Sequence, residues 1–426
     1  LIREILVLNK LKPKSEFSRN VLTLMTGTTI AQAIPIAISP ILTRIYTPED
    51  FGVFALFFAL TMIFGSIVNG RYELAIMLPS EDEDAINIAA LGIIIAAVIS
   101  TVLFVIILFF SQEIMHLLNN ENIHHWLYLL PISVFLIGLF NVLNYFNTRM
   151  KYYKDLSKAL IYKSLVLTVI QLSVGFIYQG AAGLISGLII SNFFGNMKLS
   201  KNIIQNKKLI SSLSIIKMKT LAKRYINFPK FSMWSALAST SSQHLTSILI
   251  SSFFSIATLG FYSLSEKVLG VPSTLIGRSI GQVYFQQASK EKQETGTSIV
   301  AFKSTIIKLL AIGLPFFGIL FFIIEDLFSI VFGESWRTAG QYAQILLPLF
   351  LTRFIVSPLT LTAIIYEKNI LDLLFQICLL IIIVFLITVS KEIDIFLTLV
   401  TYIISCYYII YLLIMYTLAK KEEVKV

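Results

Sequence analysis

Charged residues are scarce in this chain, making up 14% of its 426 residues, where an ordinary soluble domain carries roughly a quarter. That shortage excludes a soluble enzyme. Cysteine is nearly absent: Cys378 and Cys406 are the two present. Both lie inside long apolar runs with no His or Cys spaced as a ligand nearby, so neither a disulfide framework nor a zinc site is indicated, and buried thiols are expected. Histidine is almost as sparse. His116, His124 and His125 gather with Glu113 and Glu121, but the connection is short and the spacing irregular, which reads as ordinary surface rather than a metal site. The chain also lacks a nucleotide-binding loop, a Ser-His-Asp set and a paired-carboxylate site, which excludes an ATP-driven transporter acting on its own. No outer connection is long enough to fold into a catalytic domain, since the longest cover about 112 to 123 and 325 to 338. No cofactor is expected beyond a coupling proton or sodium ion.

What the chain has in abundance is apolar surface. Apolar residues make up 56%, with 33 Phe and 18 Tyr, and the mean hydropathy is +0.82. Cores alone cannot absorb so many, so most must face hydrocarbon, where each spanning helix needs about 20 of them. Twelve apolar segments can be read off, near 20 to 43, 51 to 77, 85 to 111, 124 to 148, 158 to 178, 181 to 200, 231 to 254, 258 to 284, 298 to 324, 339 to 364, 369 to 389 and 393 to 418. Each is about twice the length of a spanning strand, which favours helices over a barrel.

With the N-terminus on the cytoplasmic side, the inner loops and tails hold 25 Lys and Arg and the outer loops three, Arg44, Arg337 and Lys391. That asymmetry puts both termini in the cytoplasm. It also explains the net charge of +10 without a nucleic-acid partner. The expected organisation is a cytoplasmic interfacial stretch at 1–19, unlike a cleaved signal peptide, a first lobe at 20–200, a basic linker at 201–230, a second lobe at 231–418 and a cytoplasmic tail at 419–426. The chain begins at Leu1 rather than Met, which leaves the native start residue open.

The two lobes look like repeats. The stretch from Thr47 to Leu56 precedes Ser255 to Leu264 by 208 residues, and Gly70-Arg71 precedes Gly277-Arg278 by 207. Both pairs fall at the second helix of their half. Six spans return the chain to its starting side, so parallel pseudo-symmetric lobes are expected, with a substrate path between them. Thr47-Pro48-Glu49-Asp50 reads structurally, as an N-cap, a proline at N1 and acids facing the helix dipole.

Polar residues within the apolar segments are the candidates for function. The run from Ser239 to Ser247, including Gln243 and His244, fills the seventh helix and favours a water-filled cavity over helix-to-helix bonding alone. Thr28, Gln32, Ser39 and Thr43 share one face of the first helix, near bend points at Pro35 and Pro40. Arg71, Lys267, Arg278 and Arg353 are cations placed to face a lumen, since ionisable groups in lipid are costly. Lys267 and Arg278, 11 residues apart, would share a helix face unless Pro272 disturbs the phase. Arg71 and Glu73 would point about 200° apart and so not pair within a helix. Lys163, Lys303 and Lys308 are expected to snorkel. Glu73 and Glu266 fit either counter-ions or proton carriers, and Trp336 fits an outer-interface anchor.

The stretches Pro40 to Leu56 and Gly70 to Pro79, with Phe332 to Pro348 and Ser357 to Thr360, resemble the bacterial oligosaccharide flippases. These are the O-antigen and capsule repeat-unit carriers in the polysaccharide-transporter branch of the multidrug/oligosaccharidyl-lipid/polysaccharide exporter superfamily. The resemblance implies an all-α polytopic protein of about 12 transmembrane helices in a V-shaped pair of six-helix lobes. It implies a non-enzymatic flippase in the bacterial inner membrane, moving undecaprenyl-pyrophosphate-linked repeat units from the inner to the outer leaflet by alternating access. Membrane lipids and other polysaccharide assembly proteins are the further partners it suggests. It adds Arg44 and Arg71 as lumen residues. Pyrophosphate would then meet Arg44, Arg71, Lys267, Arg278 and Arg353, sugar hydroxyls would meet Thr28, Gln32, Gln243 and His244, and Tyr46 or Tyr72 would stack on a sugar face. The drug-exporting relatives often carry a lone acid in the first or seventh helix, and both helices here lack one. An ion-coupled multidrug exporter of this fold and a membrane-embedded polysaccharide polymerase or ligase are the alternatives.

Overall fold

The computed structural model describes residues 16–421, with side-chain surroundings for all of these except residues 16–22, Leu275, Arg278 and Asn369. The expected interfacial stretch at 1–19 and the tail at 419–426 therefore lie largely outside the described residues. Among the described residues the chain is helical, without strands. We label the long helices α1 (Glu16–Ile45), α2 (Pro48–Gly65), α3 (Asp82–Leu118), α4 (Leu130–Arg149), α5 (Tyr153–Ile177), α6 (Ala182–Gln205), α7 (Met233–Phe253), α8 (Ile256–Leu269), α9 (Ile299–Phe332), α10 (Arg337–Val356), α11 (Asn369–Val389) and α12 (Ile393–Lys420). Among the described residues, α1 to α5 and α9 to α12 are long and apolar enough to cross a membrane, so the chain is a multi-pass membrane protein. Helix α6 is diluted by Asn192 and Asn196, α7 by its Ser/Thr/Gln/His run, and α8 is short.

The chain forms two compact units. The first takes residues up to Ile45, Thr61–Ser111 and His124–Leu237; the second takes Tyr46–Leu60, Gln112–Ile123 and the chain from Ala238. The halves expected from sequence are thus exchanged at two short segments. Segment 46–60 groups with the second unit through a close helix crossing. A Cβ at Gly52 would lie 1.8 Å from the Ile256 carbonyl oxygen, and one at Gly260 would lie 1.8 Å from that of Pro48. With the repeat offset of 208, Pro48 corresponds to Ile256 and Gly52 to Gly260, so α2 and α8 cross through reciprocal contacts of equivalent positions. Only a residue without Cβ allows backbones this close. Segment 112–123 joins the same unit, with Asn119 Nδ2 donating to the Ser252 carbonyl at 3.2 Å.

The starts of α2 and α8 are built alike. Thr47 Oγ1 accepts from Asp50 N at 3.3 Å while Asp50 Oδ2 accepts from Thr47 N at 3.0 Å, a reciprocal capping box. At the equivalent position Ser255 Oγ accepts from Thr258 N at 3.1 Å. Trp336 packs beside this crossing, with its ring 4.9 Å from that of Phe51 and 5.8 Å from that of Phe261. It is fully buried, which corrects the expected interface anchor: the two aromatic rings brought by the repeats make a pocket that takes the indole out of lipid. Arg337 next to it joins the end of α9 to the start of α10 through Glu325, Asp326 and Glu334 at 3.3, 3.1 and 2.5 Å.

Both repeat helices break before their arginine. Helix α2 stops at Gly65, and the chain turns through Gly70 and Arg71, both with positive φ (58° and 63°), into a short helix Tyr72–Ala75. Helix α8 stops at Leu269 and passes through a π-turn, Ser273–Gly277, into a new helix Arg278–Thr295. The 100° step therefore does not carry from Lys267 to Arg278, and Pro272 stands at the interruption. The basic segment 201–230, expected as a linker, packs on the first unit. Its helix Ile215–Arg224 and the turn before it are held by Asn87, which binds Ser212 O at 3.1 Å and Ser214 N at 2.8 Å. Tyr72 OH adds a bond to Ala222 O at 2.9 Å, and Lys217 an ion pair to Glu83 at 3.1 Å. Cys378 and Cys406 are free and exposed, not buried as expected, because the apolar runs carrying them turn one face outward.

Candidate functional site

In the first unit the left-handed turn at Gly70-Arg71 decides the geometry. A regular helix would have pointed Arg71 and Glu73 apart; the turn instead brings Arg71 Nη1 to 3.2 Å from Glu73 Oε1. This corrects the expectation that they do not pair. Glu73 is 2% exposed, yet its Oε2 and the Arg71 Nε have no hydrogen-bond partner among the described residues. Asn69 beside them donates to Gly92 O at 3.1 Å and leaves its own Oδ1 unpartnered. Buried polar atoms are ordinarily satisfied, and here three unsatisfied ones fall within five residues. Tyr145 of α4 lies within electrostatic reach of both charges.

The loop beyond this turn is fastened by Arg149 at the end of α4. Its Nε donates to Asp82 Oδ1 at 2.8 Å, its Nη1 to the carbonyls of Ile76 and Pro79 at 3.2 and 2.8 Å, and its Nη2 to Ser80 O at 3.2 Å. In the sequence Arg149 reads only as one of the 25 inner cations. Its signal was available in the five donors of a guanidinium placed opposite a turn of free carbonyls.

On α1, Thr28 binds back to Leu24 O at 2.8 Å and Ser39 to Pro35 O at 2.7 Å, so these hydroxyls serve the helix itself as donors. Gln32 is half-buried and Arg44, at the end of the helix, is exposed. The two tyrosines proposed as sugar platforms are enclosed. Tyr46 is 3% exposed and Tyr72 4%, with Tyr46 edge-on to Phe51 at 6.4 Å and Tyr72 in the core with Ile76, Ile86 and Phe146. Neither presents a ring face for stacking. Burial, with the nearby Asp50 carboxylate, pushes the Tyr46 hydroxyl up to about 12.

In the second unit the polar run of α7 divides by face. Ser242 donates to Gln376 Oε1 on α11 at 2.8 Å, a bond from helix to helix, and Thr246, one turn on, is buried on the same face. Gln243 is exposed and His244 half-buried, the imidazole edge-on to Phe58 at 5.9 Å. On α8, Lys267 is exposed and Glu266 half-buried, about 16 Å along the helix from its start. Arg353 lies over the rings of Phe350 and Tyr408 at 5.5 and 5.7 Å, with its Nε unpartnered. Glu266 acts on Arg353 through space, without an ion pair among the described residues. The Arg278 side chain lies outside the described residues. Lys163 does not snorkel: its ammonium sits over the Phe140 ring at 4.5 Å because its stem packs on Gly195.

A family model described as polysaccharide biosynthesis protein matches residues 41–341. The teichuronic acid biosynthesis protein TuaB of Bacillus subtilis (strain 168) is 24% identical over 136 residues, 32% of this chain and 28% of that protein. The matched stretch thus spans under a third of that relative. Among solved structures, the lipid II flippase MurJ in an inward closed conformation aligns with a TM-score of 0.70 at 12% identity, over 94% of this chain and 90% of MurJ. An inward-facing multidrug resistance MATE family transporter of the MOP superfamily aligns with 0.64 at 13% identity, over 94% and 96%. These likenesses establish a shared fold.

Proposed function

We propose, for a chain that belongs to the polysaccharide biosynthesis protein family, that it is a flippase for lipid-linked oligosaccharides. It carries a pyrophosphate-linked sugar unit from the inner to the outer leaflet of the bacterial cytoplasmic membrane, exposing its site alternately to the two sides. It is a transporter, not an enzyme. Both termini are placed in the cytoplasm, in keeping with the loop charges.

The observation that carries this reading is the broken end of α2. It sets Arg71 just beyond a spanning helix, with a guanidinium donor unpartnered beside two other unsatisfied polar atoms. In the proposed orientation that is the inner-leaflet end, where a pyrophosphate head would arrive. Arginine binds such a group by two parallel charge-assisted bonds. Arg278, at the matching break in the second half, is assigned the same role. Lys267 and Arg353 are the cations of the second unit, and Arg44 stands at the opposite end of α1. Gln32, Gln243 and His244 supply hydrogen bonds to sugar hydroxyls, with Thr28 as an acceptor. Glu73 and Glu266 are assigned to ion coupling. A cationic lumen repels organic cations, which favours this cargo over a drug.

The test uses a strain lacking the gene, complemented with Arg71→Ala, Arg71→Lys, Arg278→Ala or the unaltered chain at matched membrane levels. Arg71→Ala and Arg278→Ala should abolish surface glycan and leave lipid-linked units on the inner leaflet, and Arg71→Lys should rescue poorly because it loses the bidentate fork. Normal export by both alanine variants would overturn the assignment. Transport of organic cations by the purified chain would favour the drug exporter, and sugar linkage formation in vitro would favour a polymerase or ligase.

A further inference from the structure

Helices α5 and α6 of the first unit flank a cleft of about 970 Å³. The α5 wall is Lys158, Ile161, Tyr162 and Leu165, spaced i, i+3, i+4 and i+7 and so on one helix face. The α6 wall is Met197, Ser200, Lys201 and Ile204 at the same spacing, with Lys198 and Gln205 beside them. Lys158 stands near the start of α5 and Lys198 and Lys201 near the end of α6, so the cations collect at one mouth. On α5 the apolar wall runs about 10 Å from Lys158 to Leu165, while on α6 Met197 lies one residue past Lys198 on that same side and Ile204 lies beyond Lys201 towards the helix end. Tyr162, Leu165, Met197 and Ile204 are all exposed, so the trough is open rather than filled.

Three like charges around one cleft repel one another unless an anion joins them. Arg149, Lys217 and Arg337 each pair with a carboxylate. Among the described residues no carboxylate pairs with Lys158, Lys198 or Lys201. The proposed orientation opens the mouth on the cytoplasmic side, where the leaflet is anionic and basic pockets between spanning helices hold lipid head groups. A free phosphate would use the lysines and leave the trough idle. A neutral lipid would use the trough and leave the charge unanswered.

We infer that the α5–α6 cleft is a binding site for an anionic phospholipid of the cytoplasmic leaflet, its phosphate held by Lys158, Lys198 and Lys201 and an acyl chain lying against Ile161, Leu165 and Met197. The site is independent of the carried glycan. The bound lipid braces α5 against α6 on the unit that carries the Arg71 turn.

Native mass spectrometry of the full chain, released from micelles holding equal phosphatidylglycerol and phosphatidylethanolamine with identical acyl chains, tests this. One phosphatidylglycerol should be retained at least tenfold in preference, since each lysine near an anionic surface contributes on the order of a fivefold gain. The triple variant Lys158→Gln, Lys198→Gln, Lys201→Gln should lose that preference. A separate Leu165→Trp variant keeps every charge, obstructs the trough and should also lose the lipid, which keeps the proposal testable should the triple variant fail to fold. Equal retention of the two lipids, or unchanged retention in Leu165→Trp, would overturn the site. So would competition by glycerophosphoglycerol as effective as by the intact lipid. Displacement of phosphatidylglycerol by equimolar isoprenoid pyrophosphate would assign the cleft to the carried lipid and overturn the proposal, while leaving the flippase reading standing.

Discussion

Replacing Gly52 by alanine sets two effects of opposite sign against each other at a single methyl group. Helix propensity alone favours the alanine by about 1 kcal/mol. The crossing of α2 and α8 opposes it. The new Cβ would sit 1.8 Å from the Ile256 carbonyl oxygen and 2.8 Å from its carbon, against about 3.4 Å for an ordinary contact, so the helices must part by about 1.6 Å. Neither atom is the end of a flexible side chain. Overpacking of this kind costs about 1 to 3 kcal/mol, and a clash against backbone belongs in the upper part of that range, so net destabilisation of about 1 to 2 kcal/mol is expected. Gly260→Ala should match it, because its Cβ meets Pro48 in the same way. Once one methyl has opened the crossing the second costs less, so the double variant should be less destabilised than the sum by at least 0.5 kcal/mol. Gly318→Ala is the control, since nothing lies within 4 Å of its added Cβ. Thermal unfolding of the detergent-solubilised chain measures all four. If Gly52→Ala and Gly260→Ala melt with or above Gly318→Ala, the crossing is not the tight contact described.

Two further outcomes follow from named contacts. Trp336→Ala should cost about 3 to 5 kcal/mol, the range for a buried aromatic, and Trp336→Phe much less; intrinsic fluorescence should show a blue-shifted indole lost in both, and a solvent-like emission from Trp336 would contradict its burial. Arg149→Ala should speed amide exchange across residues 76 to 82 without rescue by Arg149→Lys, which cannot reproduce the fork; unchanged exchange would mean that the loop holds itself.

Sequence carried the fold where periodicity and charge decide it. The apolar lengths matched the spanning helices, and the 208-residue offset anticipated the like starts of α2 and α8 but not their breaks, since 51 to 77 and 258 to 284 each read as one continuous helix. It failed where backbone departs from the ideal helix. The pairing of Arg71 with Glu73 depends on positive φ at both Gly70 and Arg71, and no 100° projection contains such a turn. Trp336 was misplaced for a related reason: an aromatic beside Gly333 and Arg337 looks like an interface anchor until the repeat brings Phe51 and Phe261 against it. Tyr46 and Tyr72 suit a sugar face by chemistry alone, and their burial removes both. The polar run of α7 was half legible, because a single helix cannot reveal that Gln376 waits on one side of it.

The two breaks differ in one respect that bears on coupling. Counting by the offset of 207, Glu73 in the first half corresponds in sequence to Ile280 in the second, so the repeat supplies matched arginines but only one adjacent acid. On the proposed reading, a pyrophosphate that takes Arg71 by two parallel bonds draws the guanidinium away from Glu73, which holds it through Nη1 alone. The carboxylate left behind, 2% exposed, would then be a buried charge without its partner, a loss of about 3 to 5 kcal/mol. Taking up a proton avoids that cost. Anion capture at Arg71 and protonation at Glu73 then become one event, and the asymmetry confines it to the first half. Glu73→Gln mimics the protonated form, so binding of isoprenoid pyrophosphate by the purified chain should lose its pH dependence while retaining affinity. A Glu73→Gln variant whose binding still weakens with rising pH as steeply as the unaltered chain would place the coupled proton elsewhere, with Glu266 the next group to substitute.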